Sequence, residues 1–191
     1  MHLFGVIILK KMYIVRHCEA KGQASNSPLT EKGFKQAEEL NTFFNNVPVE
    51  RIISSPYVRA IETIQPLAER LNVEIEMNSQ LEERVLSTKS LSDWPEKLKR
   101  TFENPCLKFE GGESSEEAAN RILEVVEGAF KSKFEHTVIV THGNLMALLL
   151  NNYNKQFGFN DWANLSNPDV YLLNSNSNGI NFERLWNKVR G

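Results

Sequence analysis

The chain has 191 residues, with 22 Lys and Arg against 24 Asp and Glu, a length that suits one domain with room for a continuous core. A formal net charge of −2 gives no basic field for nucleic acid or an anionic membrane surface. No apolar run approaches the roughly 20 residues that cross a bilayer, and the 41% apolar and 24% charged fractions exclude a disordered tail.

Residues 1–11, MHLFGVIILKK, read as an N-terminal extension: a leader, an extra edge strand or a disordered segment. They lack the basic start and the small-residue cleavage site of a secretion signal, so a cytoplasmic location is expected. Met12 opens the first strand, Tyr13-Ile14-Val15. Thr30 is placed to cap a helix whose Phe34, Ala37, Leu40 and Phe44 recur at three- and four-residue spacing. Arg51-Ile52-Ile53 is a second strand, and a helix follows from about Tyr57 to Leu71, with a kink expected at Pro66. A weaker strand lies near 73–77. The polar stretch 84–113, with Pro95, Pro105 and Gly111-Gly112, is expected to form a small lobe with one helix around 94–103.

Ser115 to Phe134 is helical, with Ala119, Ile122, Leu123, Val126 and Phe130 on one face. Thr137-Val138-Ile139-Val140-Thr141 is a strand, and a further helix carries Leu145 through Leu150. Segments 169–173 and 179–186 flank a turn rich in Asn and Ser and form an antiparallel pair. The strand runs are continuously apolar instead of alternating, as expected when helices cover both faces of a mostly parallel sheet. The expectation is an α/β protein in which residues 12–191 make a single domain.

Arg16-His17 follows directly on the first strand, and Thr141-His142-Gly143 on the strand Val138-Ile139-Val140. Carboxyl ends of parallel strands face one crevice, so two histidines far apart in sequence can meet there. Arg59 falls in the first turn of a helix that starts beside the end of Ile52-Ile53-Ser54-Ser55. A cation there opposes the helix dipole and is better explained by an anionic ligand than by helix stability. Two arginines supply bidentate, permanently charged forks for phosphate oxygens, and a neutral imidazole can accept a phosphoryl group. No metal is required if the arginines neutralise the transition state. Taken singly, each residue has a structural explanation; four at facing element ends make a much stronger signal.

The stretch Tyr13-Ile14-Val15-Arg16-His17-Cys18-Glu19-Ala20, then Ser27-Pro28-Leu29-Thr30-Glu31-Lys32-Gly33, resembles the opening signature of the histidine phosphatase (phosphoglycerate mutase-like) superfamily. Ser54-Ser55-Pro56, Arg59-Ala60 with Thr63, Gly112-Glu113-Ser114 and Val140-Thr141-His142-Gly143 extend the likeness, in matching order, over roughly residues 12 to 150. The resemblance implies a three-layer α/β/α sandwich and phosphoryl transfer through a phosphohistidine. It makes His17 the nucleophile, Arg16 and Arg59 the phosphate clamp, and His142 a second histidine on the phosphoryl oxygens. Leu81-Glu82-Glu83 matches the family's proton-donor pattern, which selects Glu83, with Glu82 in reserve and an exposed loop carboxylate as the plainer alternative. Gln23 stands where the family often has an amide, and the Gly143 backbone amide is a further candidate phosphate contact, whereas Asn144 is open to a capping role.

The leading expectation is a metal-independent phosphomonoesterase of the histidine acid phosphatase type. It needs no cofactor and acts on a small phosphorylated metabolite, without nucleic-acid or membrane partners. The rivals are a phosphoglycerate mutase, for which the segment between Glu83 and Gly112 offers little cover against water, and a non-catalytic binder of phospho-ligands or phosphoproteins. The argument for the binder is Cys18, which replaces the usual glycine after the nucleophile. If the backbone there needs positive φ the pocket is strained; otherwise Cys18 is a small buried neighbour. Cys18 and Cys106 are two cysteines, too few for a disulfide framework or a four-thiolate zinc site, and reduced thiols are expected. His2 and His136 show no metal-ligand spacing.

Overall fold

The strand β1 (Lys11–Arg16) lies inside a six-stranded sheet in the computed structural model, whose order is β3 (Ile75–Met77), β2 (Arg51–Ser54), β4 (His136–Thr141), β1, β5 (Asp169–Asn176) and β6 (Gly179–Arg184). The description covers residues 10–176 and 179–186, so most of the expected N-terminal extension lies outside it. β1 begins at Lys11, one residue ahead of the expected start, because the Lys11 amide bonds to the Glu135 carbonyl beside β4. Further along the chain come α1 (Glu31–Phe43), β2 (Arg51–Ser54), α2 (Val58–Leu71) and β3 (Ile75–Met77). A 3-10 turn (Ser79–Leu81) precedes α3 (Trp94–Glu103), the helix expected in the polar stretch, and α4 (Ser115–Lys131). Then follow β4 (His136–Thr141), α5 (Gly143–Tyr153), α6 (Phe159–Ala163), β5 (Asp169–Asn176) and β6 (Gly179–Arg184).

Strands β1 to β4 are parallel, and the antiparallel β5–β6 hairpin extends the sheet from β1. Side-chain alternation along β1 sends Met12 and Ile14 to one face and Tyr13 and Val15 to the other. The first face packs on α4 and α5 through Ile122, Val126, Leu145 and Leu149, and the second on α1 and α2 through Leu40, Ala60, Ile64 and Leu67. This is the expected three-layer sandwich.

Local signals set the helix ends. Thr30 accepts the Gly33 amide at 2.9 Å and caps α1, and Ser114 with Glu117 forms a reciprocal capping box at α4. A Cβ on Gly33 would stand 2.1 Å from the Glu19 carbonyl, so only glycine lets α1 approach the loop behind His17 this closely. Phe34, expected on the inner stripe of α1, is 49% exposed; the buried positions are Gly33, Gln36, Ala37 and Leu40, with Phe44 at the end. The stripe of α4 is likewise centred on Ala118, Ile122, Val125, Val126 and Ala129, leaving Ala119, Leu123 and Phe130 half-buried at its margin. Helix α2 is continuous across Pro66. Among the described residues no helix is long and apolar enough to cross a membrane.

Candidate active site

The ends of β1, β2 and β4 deliver Arg16-His17, Ser54-Ser55 and Thr141-His142 to one edge of the sheet, because the three strands are parallel and in register there. The His17 amide bonds to the Thr141 carbonyl at 3.1 Å, and the His17 and His142 rings meet edge to face with centroids 5.1 Å apart. His17 is only 8% exposed. Its Nδ1 lies 2.6 Å from the Cys18 carbonyl, which can only accept, so Nδ1 carries the hydrogen and Nε2 keeps the lone pair. Arg59 Nε donates to that Nε2 at 3.2 Å. Burial, reinforced by the charges of Arg59 and Arg16 and opposed by the Cys18 hydrogen bond, pushes the imidazole down to about 3, so it is neutral near pH 7.

His142 is fully buried and is held from the other side: its Nε2 contacts Ser55 Oγ at 2.8 Å, and its Nδ1 has no hydrogen-bond partner. Burial lowers its pKa well below the usual value, with His17, Arg59, Arg121 and Arg16 adding in the same direction. Arg59, in the first turn of α2, donates Nη1 to the carbonyls of Gln23 and Ala24 at 3.1 and 2.8 Å. Its guanidinium sits 4.9 Å from the centre of the Tyr57 ring, which also packs edge-on against His142 at 4.9 Å. Arg16 donates Nη1 to the Leu165 carbonyl at 3.0 Å and leaves a buried Nε without a partner. Unpaired buried polar atoms are uncommon in folded proteins and ask for an explanation, and two of them lie on neighbouring cationic or imidazole groups here.

Glu83 reaches the same edge. Its Oε2 accepts the Asn144 amide at 3.1 Å and its Oε1 the Leu145 amide at 3.0 Å, which seats a carboxylate on the N-terminus of α5. Its charge acts on both Arg16 and Arg59, opposing the burial that lowers their pKa values. The Thr141 hydroxyl donates to the Leu81 carbonyl at 2.9 Å and ties the Leu81–Glu83 segment to the end of β4. The charges of Glu82 and Glu83 both add to burial in raising the pKa of the Tyr57 phenol, against Arg59 and Arg121. Gly143 packs against Arg16: a Cβ there would lie 3.0 Å from both Cζ and Nε of the guanidinium. Gln23 meets the group through its carbonyl, with an exposed side chain. His142, not Asn144, occupies the N-cap position of α5 and makes no side-chain capping bond, and both side-chain amide atoms of Asn144 are buried without a partner.

Cys18 needs no unusual backbone. Among the described residues Asn72 is the non-glycine residue with positive φ, so the cysteine occupies ordinary angles. Its amide donates to Thr63 Oγ1 at 2.8 Å, and its side chain is fully buried beside Leu29 and Ala37. Burial pushes the thiol up to about 12, which makes it a packing group and not a nucleophile. Among the described residues no group of three or more His, Cys, Asp or Glu side chains is arranged to hold a metal ion.

Sequence reasoning missed three contributors. Tyr57 lies two residues before Arg59 and offered only its aromatic character as a signal. Asn167 donates Nδ2 to the His17 carbonyl at 2.7 Å from a turn 150 residues away, which no local pattern announces. Arg84, 6% exposed, donates to the Glu113 carbonyl and to the hydroxyls of Thr101 and Ser115, and so ties the segment after Glu83 to α3 and α4. Burial lowers its pKa to about 10, so it remains charged near pH 7.

The family model for the histidine phosphatase superfamily (branch 1) matches residues 12–188. Phosphoserine phosphatase 1 of Hydrogenobacter thermophilus is 30% identical over 145 residues, covering 68% of this chain and 69% of that protein. The probable phosphoglycerate mutase GpmB of Escherichia coli is 28% identical over 193 residues, covering 92% and 87%. Among solved structures, a mycobacterial glucosyl-3-phosphoglycerate phosphatase in complex with inorganic phosphate superposes with a TM-score of 0.75 at 24% identity, over 93% of this chain and 97% of that one. A phosphoglycerate mutase from Bacillus anthracis does so with a TM-score of 0.73 at 18% identity, over 93% and 92%. Both share the fold.

Proposed function

The chain belongs to the histidine phosphatase superfamily (branch 1), whose model spans nearly all of it, and from that premise we propose that it is a cytoplasmic phosphomonoester hydrolase that works through a phosphohistidine on His17. The observation that carries this reading is the imidazole's fixed tautomer: Nδ1–H is spent on the Cys18 carbonyl, and the Nε2 lone pair faces Arg59 in a pocket shared with His142.

In the first half-reaction the Nε2 lone pair attacks phosphorus in line, and the bond to the ester oxygen breaks as an N–P bond forms. Arg16 and Arg59 grip the phosphoryl oxygens, and the unpartnered Arg16 Nε–H and His142 Nδ1–H donate to them, with His142 Nε2 then accepting from Ser55 Oγ. Glu83, in its carboxylic acid form, gives its proton to the departing alkoxide. In the second half-reaction Glu83, now a carboxylate, takes a proton from water as the water oxygen attacks phosphorus. The N–P bond then breaks, its electron pair returns to Nε2, and inorganic phosphate leaves.

Hydrolysis is favoured over transfer to a second hydroxyl by the small amount of chain available to exclude water. Residues 23–26 after the nucleophile are exposed, and the stretch 84–113 contributes one helix, α3, as cover. The mutase relative that aligns along most of the chain is the observation favouring the second reading. The protein incubated in EDTA with an aryl phosphate should release inorganic phosphate, and His17→Ala should not. A panel including phosphoserine and 3-phosphoglycerate derivatives ranks candidate substrates. Interconversion of 3- and 2-phosphoglycerate with a bisphosphoglycerate primer, outpacing phosphate release, would establish the mutase instead.

A further inference from the structure

Three consecutive residues between α6 and β5 fasten the Arg16-His17 pair from behind. The carbonyls of Leu165 and Ser166 accept Arg16 Nη1 at 3.0 and 3.5 Å, and the Asn167 side chain donates to the His17 carbonyl at 2.7 Å. The turn that carries them is itself gripped by Asp169, whose carboxylate is fully buried. Asp169 Oδ2 accepts the Ser166 amide at 2.9 Å, and Oδ1 accepts the Val170 amide at 3.0 Å. From β6, Arg184 closes a two-bond fork on the same carboxylate, Nε to Oδ1 at 2.9 Å and Nη2 to Oδ2 at 2.6 Å. Its Nη2 also reaches the Asn164 carbonyl and Ser166 Oγ, both at 3.4 Å.

An ion pair on a buried carboxylate contributes little net stability, because desolvation of the carboxylate offsets most of the attraction, but it restricts geometry strongly. This pair stands in a place where geometry matters. Asp169 is the direct cross-strand partner of Arg16 in the β1–β5 register, and its charge helps to oppose the effect of burial on the Arg16 guanidinium. An apolar residue at position 169 would leave the Ser166 amide without its acceptor and free the turn to move.

We propose that Asp169 and Arg184 are a positioning pair for the phosphate clamp: by locking the 164–169 turn across the β5–β6 hairpin they hold the carbonyls that aim Arg16 and the amide that fixes His17. Neither residue touches the phosphate; their effect on phosphate binding runs through Arg16, whereas the Asn167 contact to the His17 carbonyl bears on kcat. The inference rests on the reading of Arg16 as a phosphate ligand, and the test separates the two.

The experiment is a double-mutant cycle read with inorganic phosphate as a competitive inhibitor of aryl phosphate hydrolysis, alongside kcat and KM. Asp169→Asn should raise the phosphate inhibition constant and KM by about tenfold in the wild-type background, and by less than about twofold in an Arg16→Lys background, where there is no fork left to aim. Equal losses in the two backgrounds, or no loss in the wild type, overturn the proposal, since a general structural effect does not depend on Arg16. Should Asp169→Asn fail to fold, Arg184→Gln carries the same cycle, because Asp169 then keeps its two backbone amides and the side chain lost is 36% exposed. Arg16→Lys binding phosphate as tightly as the wild type would overturn the reading of Arg16 itself.

Discussion

Replacing Gly143 with alanine puts a methyl group against the Arg16 guanidinium without changing any charge. The new Cβ would sit 3.0 Å from Cζ and Nε and 3.2 Å from Nη2. Unstrained carbon contacts begin near about 3.5 Å, so the guanidinium has to retreat by about half an ångström. It cannot retreat freely, because Nη1 is tied to the Leu165 carbonyl. A misplacement of about 1 Å at a catalytic group costs about a hundredfold, so half of that predicts about a tenfold loss in kcat/KM, roughly 1.4 kcal/mol. Stability should change by less than about 1 kcal/mol, because helix propensity offsets the strain at Arg16. Gly143 is the first residue of α5 and does not have positive φ, so alanine fits the backbone and gains up to about 1 kcal/mol of helix propensity. Steady-state kinetics with an aryl phosphate, phosphate inhibition and a thermal melt on the same preparation separate the two effects. A variant that keeps its phosphate inhibition constant within about twofold would refute the placement of Arg16 in the phosphate site.

Glu83→Gln removes the proposed acid and keeps a single oxygen, which can accept one of the Asn144 and Leu145 amides but not both; kcat should fall by about 10²-fold or more with phosphate inhibition much less changed, and parallel losses in both would contradict the assignment. The depressed His17 pKa, about 3 against 6.5 for an ordinary histidine, means that the unfolded chain binds the extra proton first on acidification. That contribution to stability is therefore fully present above the unfolded value and is lost as pH falls toward the folded one. Urea midpoints taken between about pH 7 and about pH 4 should drop more steeply for the wild type than for His17→Gln, and parallel curves would exclude a buried neutral imidazole. An aromatic disulfide reagent should titrate the exposed Cys106 in the native protein and the buried Cys18 only after denaturation; rapid native labelling of Cys18 would contradict its packed position.

The sheet was legible because its central strands are continuously apolar and end in polar residues whose chemistry does not suit a core. Arg16-His17 and His142 stand out at those ends, and Arg59 stands out because its charge opposes a helix dipole. Helix starts were legible where a side chain caps its own helix, as Thr30 and Ser114 do. Faces were read less well: Phe34 has helical spacing but points to solvent, because the close approach of Gly33 to Glu19 sets the rotation of α1. The supports of the site were invisible for a related reason. Asn167, Asp169 and Arg184 act through hydrogen bonds to residues remote in sequence, and such bonds leave no period, spacing or composition to detect. Cys18 looked like a threat to the site in sequence, and only the backbone angles around it removed the objection.

The most direct measurement is to quench the protein with alkali during turnover of a phosphate ester and locate the phosphoryl group by peptide mass spectrometry. The account predicts an acid-labile, base-stable phosphoramidate on His17, present during turnover and missing from His17→Ala. Full turnover with no label on His17, or with the label on another residue, would contradict it.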